Sequence, residues 1–116
     1  MAAVAEAYNM LEKNGMDLEI MNKIAETSSS DCFTIRKYHP IPNMVETSPS
    51  SKNYDGGFPT THMLKDVKLA INAADKVGAS METGKLVAGM FEKVVEKGLG
   101  RKDFAIINDV ISGKLK

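Results

Sequence analysis

The sequence predicts an all-α fold, because apolar residues recur at helical spacing along most of the 116-residue chain. Glycines stand just after several of these periodic segments, as they do after helices that end in a left-handed residue. No segment alternates apolar and polar residues in the way that is typical of a half-buried strand. We therefore expect a single domain over residues 1–116, in which about five helices share one core.

The first two helices are predicted over residues 2–13 and from Asp17 to about residue 26. In the first, apolar side chains recur at i, i+4 and i+7, and the following Asn14-Gly15 tolerates the positive φ of a helix end. In the second, Asp17 suits the N-cap because its carboxylate can accept the first free backbone N–H groups. The expected inward residues of the two helices are Val4, Tyr8, Leu11, Leu18, Met21, Ile24 and Ala25.

Residues 27–60 are predicted to form a long proline-rich loop, because they contain all four prolines of the chain. One helical turn is expected at residues 32–35, capped by Asp31 or a neighbouring serine. Pro40 and Pro42 exclude a regular helix after that turn. The loop also carries apolar residues, which indicate that it is ordered and packs against the helices: Phe33, Ile35, Tyr38, Ile41, Met44 and Val45.

Three further helices are predicted, over residues 61–77, 83–97 and 102–112. Thr60 or Thr61 is the expected N-cap of the first, and Gly78 and Gly98 are the expected stops of the first and second. Their apolar positions fill one face of each helix: Met63, Leu64, Val67, Ala70, Ile71, Ala74 and Val77; Leu86, Val87, Met90, Phe91, Val94 and Val95; Phe104, Ile107 and Ile111.

Charge and hydropathy exclude two classes of partner. Lys plus Arg and Asp plus Glu both number 15, so there is no basic excess with which to neutralise a phosphate backbone, and we expect no nucleic-acid partner. No apolar run approaches the ~20 residues that cross a bilayer, so we expect no membrane partner. The first residues lack the basic start and the cleavage pattern of a secretory signal.

The chain contains no complete set of residues for chemistry of its own. Cys32 is the only cysteine, and with His39 and His62 it falls short of a zinc site, so no metal is expected. No dinucleotide or phosphate-loop fingerprint is present, since Asp103 stands where a third glycine would have to follow Gly98-Leu99-Gly100. No serine lies in a nucleophile elbow.

Residues 57–70 carry the most informative pattern. Gly57-Phe58 precedes the predicted third helix, which contains Lys65-Asp66-Val67 and Leu69-Ala70. This arrangement resembles the Gly-Phe and Lys-Asp-Leu-x-Leu-Ala signature of the β-hydroxyacid dehydrogenases. Residues 97–104, ending in Asp103-Phe104, resemble the Lys-Gly-x-x-x-x-Asp-Phe turn of the same family.

A third block narrows the resemblance. Pro40 and Pro42, followed by Asn53-Tyr54, resemble the Asn-Pro-x-Pro and Asn-Tyr loop of the 3-hydroxyisobutyrate dehydrogenases. The three blocks together extend over nearly the whole chain, in the family's order and spacing. The resemblance implies a C-terminal helical domain like that of 6-phosphogluconate dehydrogenase, which forms one wall of an active-site cleft and a subunit interface.

The resemblance also implies parts that this chain lacks. The family has an N-terminal Rossmann domain that binds NAD, and a catalytic lysine in a Gly-x-x-x-x-Lys-x-x-Asn-Asn motif. Neither is found in this sequence, so no catalytic residue is assigned, and neither Lys13 nor Lys23 is given that role. The expected partners are the chain's own Rossmann domain, a second copy in a homo-oligomer, and a small 3-hydroxy acid substrate.

Three site residues follow from the resemblance. Lys65 corresponds to the lysine that contacts the cofactor NAD, and Phe58 to an aromatic residue that lines the cofactor and substrate pocket. Asp66 corresponds to a carboxylate that shapes the substrate pocket. Each also has a simpler interpretation: a solvated surface lysine, a hydrophobic staple before a helix, and a carboxylate that pairs locally.

No role in the site is assigned to His62 or to Cys32. His62 stands where the family usually has an apolar residue, and its position one turn before Asp66 permits a hydrogen bond between the two. We interpret His62 as a partly exposed packing residue, not as a base. Cys32 is interpreted as a loop or interface residue, because no histidine or asparagine motif accompanies it.

The leading functional hypothesis is a domain of an enzyme that oxidises 3-hydroxyisobutyrate to its semialdehyde with NAD, in valine catabolism. Two alternatives remain open: a helical oligomerisation or adaptor module with no enzymatic parent, and a relative that reduces glyoxylate or tartronate semialdehyde. We expect the chain alone to be inactive and not to bind NAD. The expected location is the mitochondrial matrix in a eukaryote and the cytoplasm otherwise.

Overall fold

The computed structural model describes all 116 residues and confirms the all-α fold. It contains six α-helices: α1 Ala2–Lys13, α2 Leu18–Glu26, α3 Phe33–Arg36, α4 Thr60–Val77, α5 Glu82–Glu96 and α6 Ile107–Ile111. Two short 3-10 helices are added at Pro49–Lys52 and Phe104–Ile106. The long helices α4 and α5 pack along each other as a hairpin, while α1 packs against α6 and α2.

The helix ends follow local chemistry only in part. Asp17 caps α2 as expected, since its carboxylate accepts the N–H groups of Glu19 and Ile20. Gly78 ends α4 in the left-handed conformation, with φ of +69°. The expected cap of α3 is wrong: the carboxylate of Asp31 pairs with Arg36 at 2.9 Å.

The expected threonine cap of α4 is also wrong. The cap position is taken by Pro59, with no side-chain cap hydrogen bond. The hydroxyls of Thr60 and Thr61 instead donate to the carbonyls of Lys102 and Gly100, at 2.9 and 3.2 Å. Both threonines therefore join the start of α4 to the segment that precedes the last helix.

The single helix predicted over residues 102–112 is divided in the structure. A 3-10 turn at Phe104–Ile106 comes first, and α6 begins only at Ile107. The carboxylate of Asp103 accepts the Ala105 N–H at 2.8 Å and sets up the tighter turn. Residues before Asp103 are held by the start of α4 and cannot continue the helix.

The proline-rich segment is ordered and packed, as predicted. The carbonyl oxygen of His39 accepts the hydroxyls of Ser48 and Ser50, and all three residues are buried. Asn53 and Tyr54 both adopt positive φ, which turns the buried Tyr54 ring toward the core. Phe33 is an exception to the predicted packing, because it lies on the surface.

The core combines apolar residues with buried amides. Its centre is formed by Tyr54, Val94, Ala105 and Ile106. Beside it, the side chain of Asn9 on α1 donates to that of Asn108 on α6 at 2.8 Å, and both are buried. This pair satisfies two polar groups that would otherwise destabilise the core, and it fixes how α1 lies on α6.

Several predicted core positions are exposed. Ile24, Val77 and Leu86 lie on the surface, because no other element of this chain covers those faces of α2, α4 and α5. Tyr8 is buried as predicted, since its hydroxyl donates to Asn22 at 2.6 Å and its ring packs edge-on against His39. Met10 on the same helix is exposed.

We expect the 116-residue chain to self-associate. Five large apolar side chains are exposed on the α4–α5 hairpin and on α2: Leu69, Val77, Leu86, Ile20 and Ile24. Contact between two copies would remove these side chains from water, which is favourable. Sedimentation velocity over a range of concentrations measures this directly. A single monomeric species at high protein concentration would contradict the expectation.

None of the helices is long and apolar enough to cross a membrane.

Candidate functional site

The turn that leads into α4 is joined to the turn that leads into the last helix. The Phe58 N–H donates to the carboxylate of Asp103 at 2.7 Å, and the Phe104 N–H donates to the Phe58 carbonyl at 3.0 Å. Pro59 and Asp103 form the one isolated β-bridge of the structure. Two segments that are 45 residues apart in the chain therefore hold each other in place.

Gly57 makes this junction possible. Its φ of +67° is costly for any residue with a Cβ atom. A Cβ there would also lie 2.2 Å from the Asp103 carboxylate, 2.6 Å from the Tyr38 hydroxyl and 2.8 Å from the ring of Pro49. The glycine of the Gly-Phe pair is thus required by both conformation and space.

Asp103 lies at the centre of the junction and is completely buried. Its Oδ2 accepts the Phe58 N–H and the hydroxyl of Tyr38, and its Oδ1 accepts the Ala105 N–H. Burial and the hydrogen bond to Asp103 raise the pKa of Tyr38 to about 12, so its hydroxyl remains a donor at neutral pH.

Phe58 presents a partly exposed aromatic ring beside this junction. The ring is edge-on to His62, with centroids 5.9 Å apart, and edge-on to Phe104 at 6.3 Å. Phe58 remains 37% exposed, which leaves part of its ring surface available to a ligand. Phe104 in turn stacks on Tyr38 at 5.4 Å.

Lys65 projects from α4 into solvent, as expected of a residue that reaches across a cleft. Its side chain is 63% exposed, and its Nζ lies 2.7 Å from Oδ1 of Asp66. A groove of about 350 Å³ runs along this side of α4, lined by Thr61, Leu64, Lys65, Lys68, Leu69 and Asn72. Its volume is near the lower limit for ligand pockets, so it suits one wall of a site better than a whole site.

The predicted site residues lie at or just before the start of α4 and are not enclosed by the rest of the chain. A second cleft, of about 590 Å³, contains Gly57 and His62, and Thr61 lines both this cleft and the groove beside Lys65. His62 and Lys65 lie three residues apart on α4 and are neighbours on its surface, while Phe58 precedes the helix and meets His62 through its ring. Neither Phe58 nor Asp66 lines either space.

The hydrogen bond that the sequence permits between His62 and Asp66 is not formed. The Asp66 carboxylate pairs with Lys65, and the His62 ring lies against Phe58 instead. The simpler interpretation of Asp66, local pairing, therefore describes its contact in this chain. Both residues are exposed, so either could change partner when another surface approaches.

The sequence analysis did not predict the buried contact between Asp103 and Tyr38. Asp103 is part of the Asp-Phe motif, and a carboxylate directly before an apolar run such as Phe104-Ala105-Ile106 is a signal that it meets buried donors. No local pattern identifies Tyr38, whose hydroxyl meets a carboxylate 65 residues away. Cys32 is an exposed free cysteine at the start of α3.

The comparisons with known proteins all find similarity to 3-hydroxyisobutyrate dehydrogenases. A family model described as "NAD-binding of NADP-dependent 3-hydroxyisobutyrate dehydrogenase" matches residues 1–111. A Dictyostelium discoideum protein named probable 3-hydroxyisobutyrate dehydrogenase, mitochondrial, is 39% identical over 116 residues, which is 100% of this chain and 36% of that protein. The human 3-hydroxyisobutyrate dehydrogenase, mitochondrial, is 35% identical over 92% of this chain and 32% of its own length.

Two further similar proteins are described together with L-serine. A Pseudomonas aeruginosa protein named NAD-dependent L-serine dehydrogenase is 30% identical over 92% of this chain and 36% of its own length. A solved structure of Mycobacterium tuberculosis 3-hydroxyisobutyrate dehydrogenase with L-serine superposes with a TM-score of 0.86 at 28% identity, covering 94% of this chain and 37% of that one. The chain thus spans about a third of the length of the relatives it matches.

Proposed function

The chain belongs to the 3-hydroxyisobutyrate dehydrogenase family, and on this premise we propose that it is the C-terminal domain of an NAD-dependent dehydrogenase of 3-hydroxy acids. In that enzyme the domain forms one wall of the active-site cleft and part of a subunit interface. A Rossmann domain outside this chain would hold most of NAD, which would supply the acceptor for the hydride. The chain itself contributes binding and orientation but no catalytic base.

The observation that carries the proposal is the exposure of Lys65 beside an open groove. Its amine pairs only with Asp66, a surface ion pair that is worth little and is easily exchanged. A phosphate or ribose oxygen presented by an approaching domain can therefore take over the donors of this amine. The groove of about 350 Å³ suits contact with part of a dinucleotide, not its enclosure.

Phe58 and Asp66 have complementary roles in the proposal. The exposed part of the Phe58 ring covers one side of the reacting groups and keeps water from them. Asp66, next to Lys65, aligns its amine while the cofactor is absent and shapes the charge of the pocket when it is bound. In this scheme His62 is a packing partner of Phe58 and takes no proton.

The substrate class is a small acid with a hydroxyl on its third carbon. The names of the relatives point to 3-hydroxyisobutyrate and to L-serine, and both compounds carry a carboxylate and a 3-hydroxyl. We propose 3-hydroxyisobutyrate as the substrate, because that name is shared by the family and by the relative of highest identity named above. The adaptor hypothesis is left without support by family membership, and the semialdehyde reductase hypothesis is retained for testing.

The test is hydride transfer by the complete product of the gene that contains this chain. Reduction of NAD and NADP is followed by absorbance with 3-hydroxyisobutyrate and L-serine, and the reverse reaction with tartronate semialdehyde. We expect the highest kcat/KM with NAD and 3-hydroxyisobutyrate, and no turnover by the 116-residue chain alone. Absence of turnover with every one of these substrates would contradict the proposal.

Replacing Lys65 separates cofactor binding from stability. We expect Lys65→Met to weaken NAD binding by the complete enzyme roughly tenfold, the value of one charge-assisted hydrogen bond. Its unfolding free energy should change by less than about 0.5 kcal/mol, since the lost ion pair is at the surface. Calorimetric titration with NAD and urea unfolding measure the two effects.

Lys76→Met is the matched control, because Lys76 lies on the same helix but lines neither the groove nor the second cleft. It should leave both NAD affinity and stability unchanged. Equal NAD affinity for the wild type and Lys65→Met would remove Lys65 from the proposed site.

The proposed location follows the names of the relatives: the mitochondrial matrix in a eukaryote, and otherwise the cytoplasm.

A further inference from the structure

We propose that Asp103 is a positioning residue of the pocket, which holds the backbone of Phe58 and thereby places the Phe58 ring. The inference rests on the proposed function, since it assigns a role to a residue that touches neither cofactor nor substrate. Asp103 lies in the Asp-Phe turn, away from Lys65 and from the groove beside it. Its effect on the reaction would therefore be transmitted through Phe58.

The first step is the chemistry of the buried carboxylate. The Asp103 carboxylate accepts three hydrogen bonds, from the Phe58 N–H, the Tyr38 hydroxyl and the Ala105 N–H. No lysine, arginine or histidine lies within ion-pair distance of it. A buried carboxylate without a cation is costly, and only its fixed donors offset that cost. The two backbone donors are therefore held strongly in place.

The second step concerns what holds the Phe58 ring. The ring is partly exposed, and the only aromatic rings near it, His62 and Phe104, meet it edge-on at about 6 Å. Packing alone leaves such a ring free to shift. The Phe58 backbone, in contrast, is bonded on both sides, by its N–H to Asp103 and by its carbonyl to the Phe104 N–H. The position of the ring is thus set mainly from the backbone.

Tyr38 offers a matched comparison. Its hydroxyl binds the same Oδ2 atom, so Tyr38→Phe removes one donor but leaves the bond from Phe58 to Asp103 intact. Asp103→Asn is nearly identical in shape, but it introduces an NH₂ group that can only donate. At the Oδ2 position this NH₂ can donate to the Tyr38 hydroxyl, whereas at the Oδ1 position it would meet only the Ala105 N–H, so the first orientation is favoured. In that orientation the NH₂ faces the fixed N–H of Phe58, and the hydrogen bond from Phe58 is lost.

The first experiment uses the 116-residue chain and NMR. We expect Asp103→Asn to shift the Phe58 amide resonance upfield and to increase its hydrogen exchange at least tenfold, while Tyr38→Phe leaves both nearly unchanged. Should Asp103→Asn fail to fold, an ester oxygen in place of the Phe58 N–H removes that single donor and is expected to move the Phe58 ring relative to Phe104. An unchanged Phe58 amide in Asp103→Asn, or an unmoved ring in the ester, would overturn the inference.

The second experiment is a double-mutant cycle in the complete enzyme. We expect Asp103→Asn and Phe58→Ala each to raise KM about tenfold. Asp103→Asn should add less than about twofold in the Phe58→Ala background, because residues that act through one another are not additive. Tyr38→Phe should change KM less than about threefold. A residue that only stabilises the fold would give effects that multiply.

The two proposals fail in different ways. A wild-type enzyme without turnover on any 3-hydroxy acid contradicts the proposed function, and with it the role of Phe58. A wild-type enzyme that turns over, but in which the effects of Asp103→Asn and Phe58→Ala multiply, overturns the positioning role of Asp103 alone. A cycle in which Asp103→Asn adds little to the effect of Phe58→Ala supports both the proposed function and the positioning role of Asp103.

Discussion

Gly57→Ala is expected to lower the free energy of unfolding by about 3 kcal/mol or more. The left-handed φ of +67° costs a residue with a Cβ atom about 1–2 kcal/mol. The new Cβ would also displace the Asp103 carboxylate, which lies 2.2 Å from its position, and so weaken hydrogen bonds to a charged group worth about 1.5–3 kcal/mol. Urea unfolding followed by circular dichroism measures the change.

Gly56→Ala is the matched control for Gly57→Ala. Gly56 has a similar φ of +77°, but no atom lies within 4 Å of the Cβ that alanine would add. It should therefore cost only the conformational strain, about 1–2 kcal/mol. Equal losses in the two variants would mean that the space beside Asp103 is not as tightly filled as the structure describes. A loss of 3 kcal/mol is a large part of the stability of a domain of this size.

Acid is expected to destabilise the chain through His39. Burial lowers the pKa of His39 to about 4 in the folded state, from its ordinary value of 6.5. Its Nδ1 accepts the Ile41 N–H, so a proton added there would face another donor, and its Nε2 has no hydrogen-bond partner. The unfolded chain therefore binds this proton more readily than the folded one.

The sign and the pH range follow from that difference. The stability that comes from a neutral His39 is fully present above about pH 6.5, is lost progressively as the pH falls from about 6.5 to about 4, and is absent below that. The difference between the two pKa values corresponds to about 3 kcal/mol. Unfolding free energies measured from pH 7 to pH 3.5 test this, together with an NMR titration of the imidazole.

His39→Asn provides the comparison, because its side-chain oxygen can still accept the Ile41 N–H but does not titrate in this range. The variant will be less stable throughout, since the ring also packs on Tyr8. Between pH 7 and pH 3.5 its free energy of unfolding should nevertheless fall by about 3 kcal/mol less than that of the wild type. Parallel pH profiles for His39→Asn and the wild type would refute the assignment.

Features that depend on a few neighbouring residues could be predicted from the sequence. The helices α1, α2, α4 and α5 lie within about one residue of their predicted bounds, because apolar periodicity is a property of consecutive turns. Asp17 and Gly78 act as predicted because a cap and a left-handed stop need only adjacent backbone. The ordered motifs were also enough to indicate the family.

Features that depend on distant residues could not be predicted in this way. The last helix is divided because Asp103 and the residues before it bind segments about 40 to 65 positions away. The threonines at the start of α4 were expected to cap it, but they use their hydroxyls on that same distant segment. Local rules assign each polar group its nearest partner, and tertiary packing supplied a different one.

The sequence by itself determined that this chain is helical, where its long helices lie, which family it belongs to, and that Lys65 stands on an outward face. Only the tertiary structure decided that Lys65 pairs with Asp66, that His39 is a buried neutral group, and that Asp103 anchors Phe58. The physical reason is that a helix is stabilised by bonds between residues four apart, whereas a buried polar group takes whatever donor the fold brings beside it.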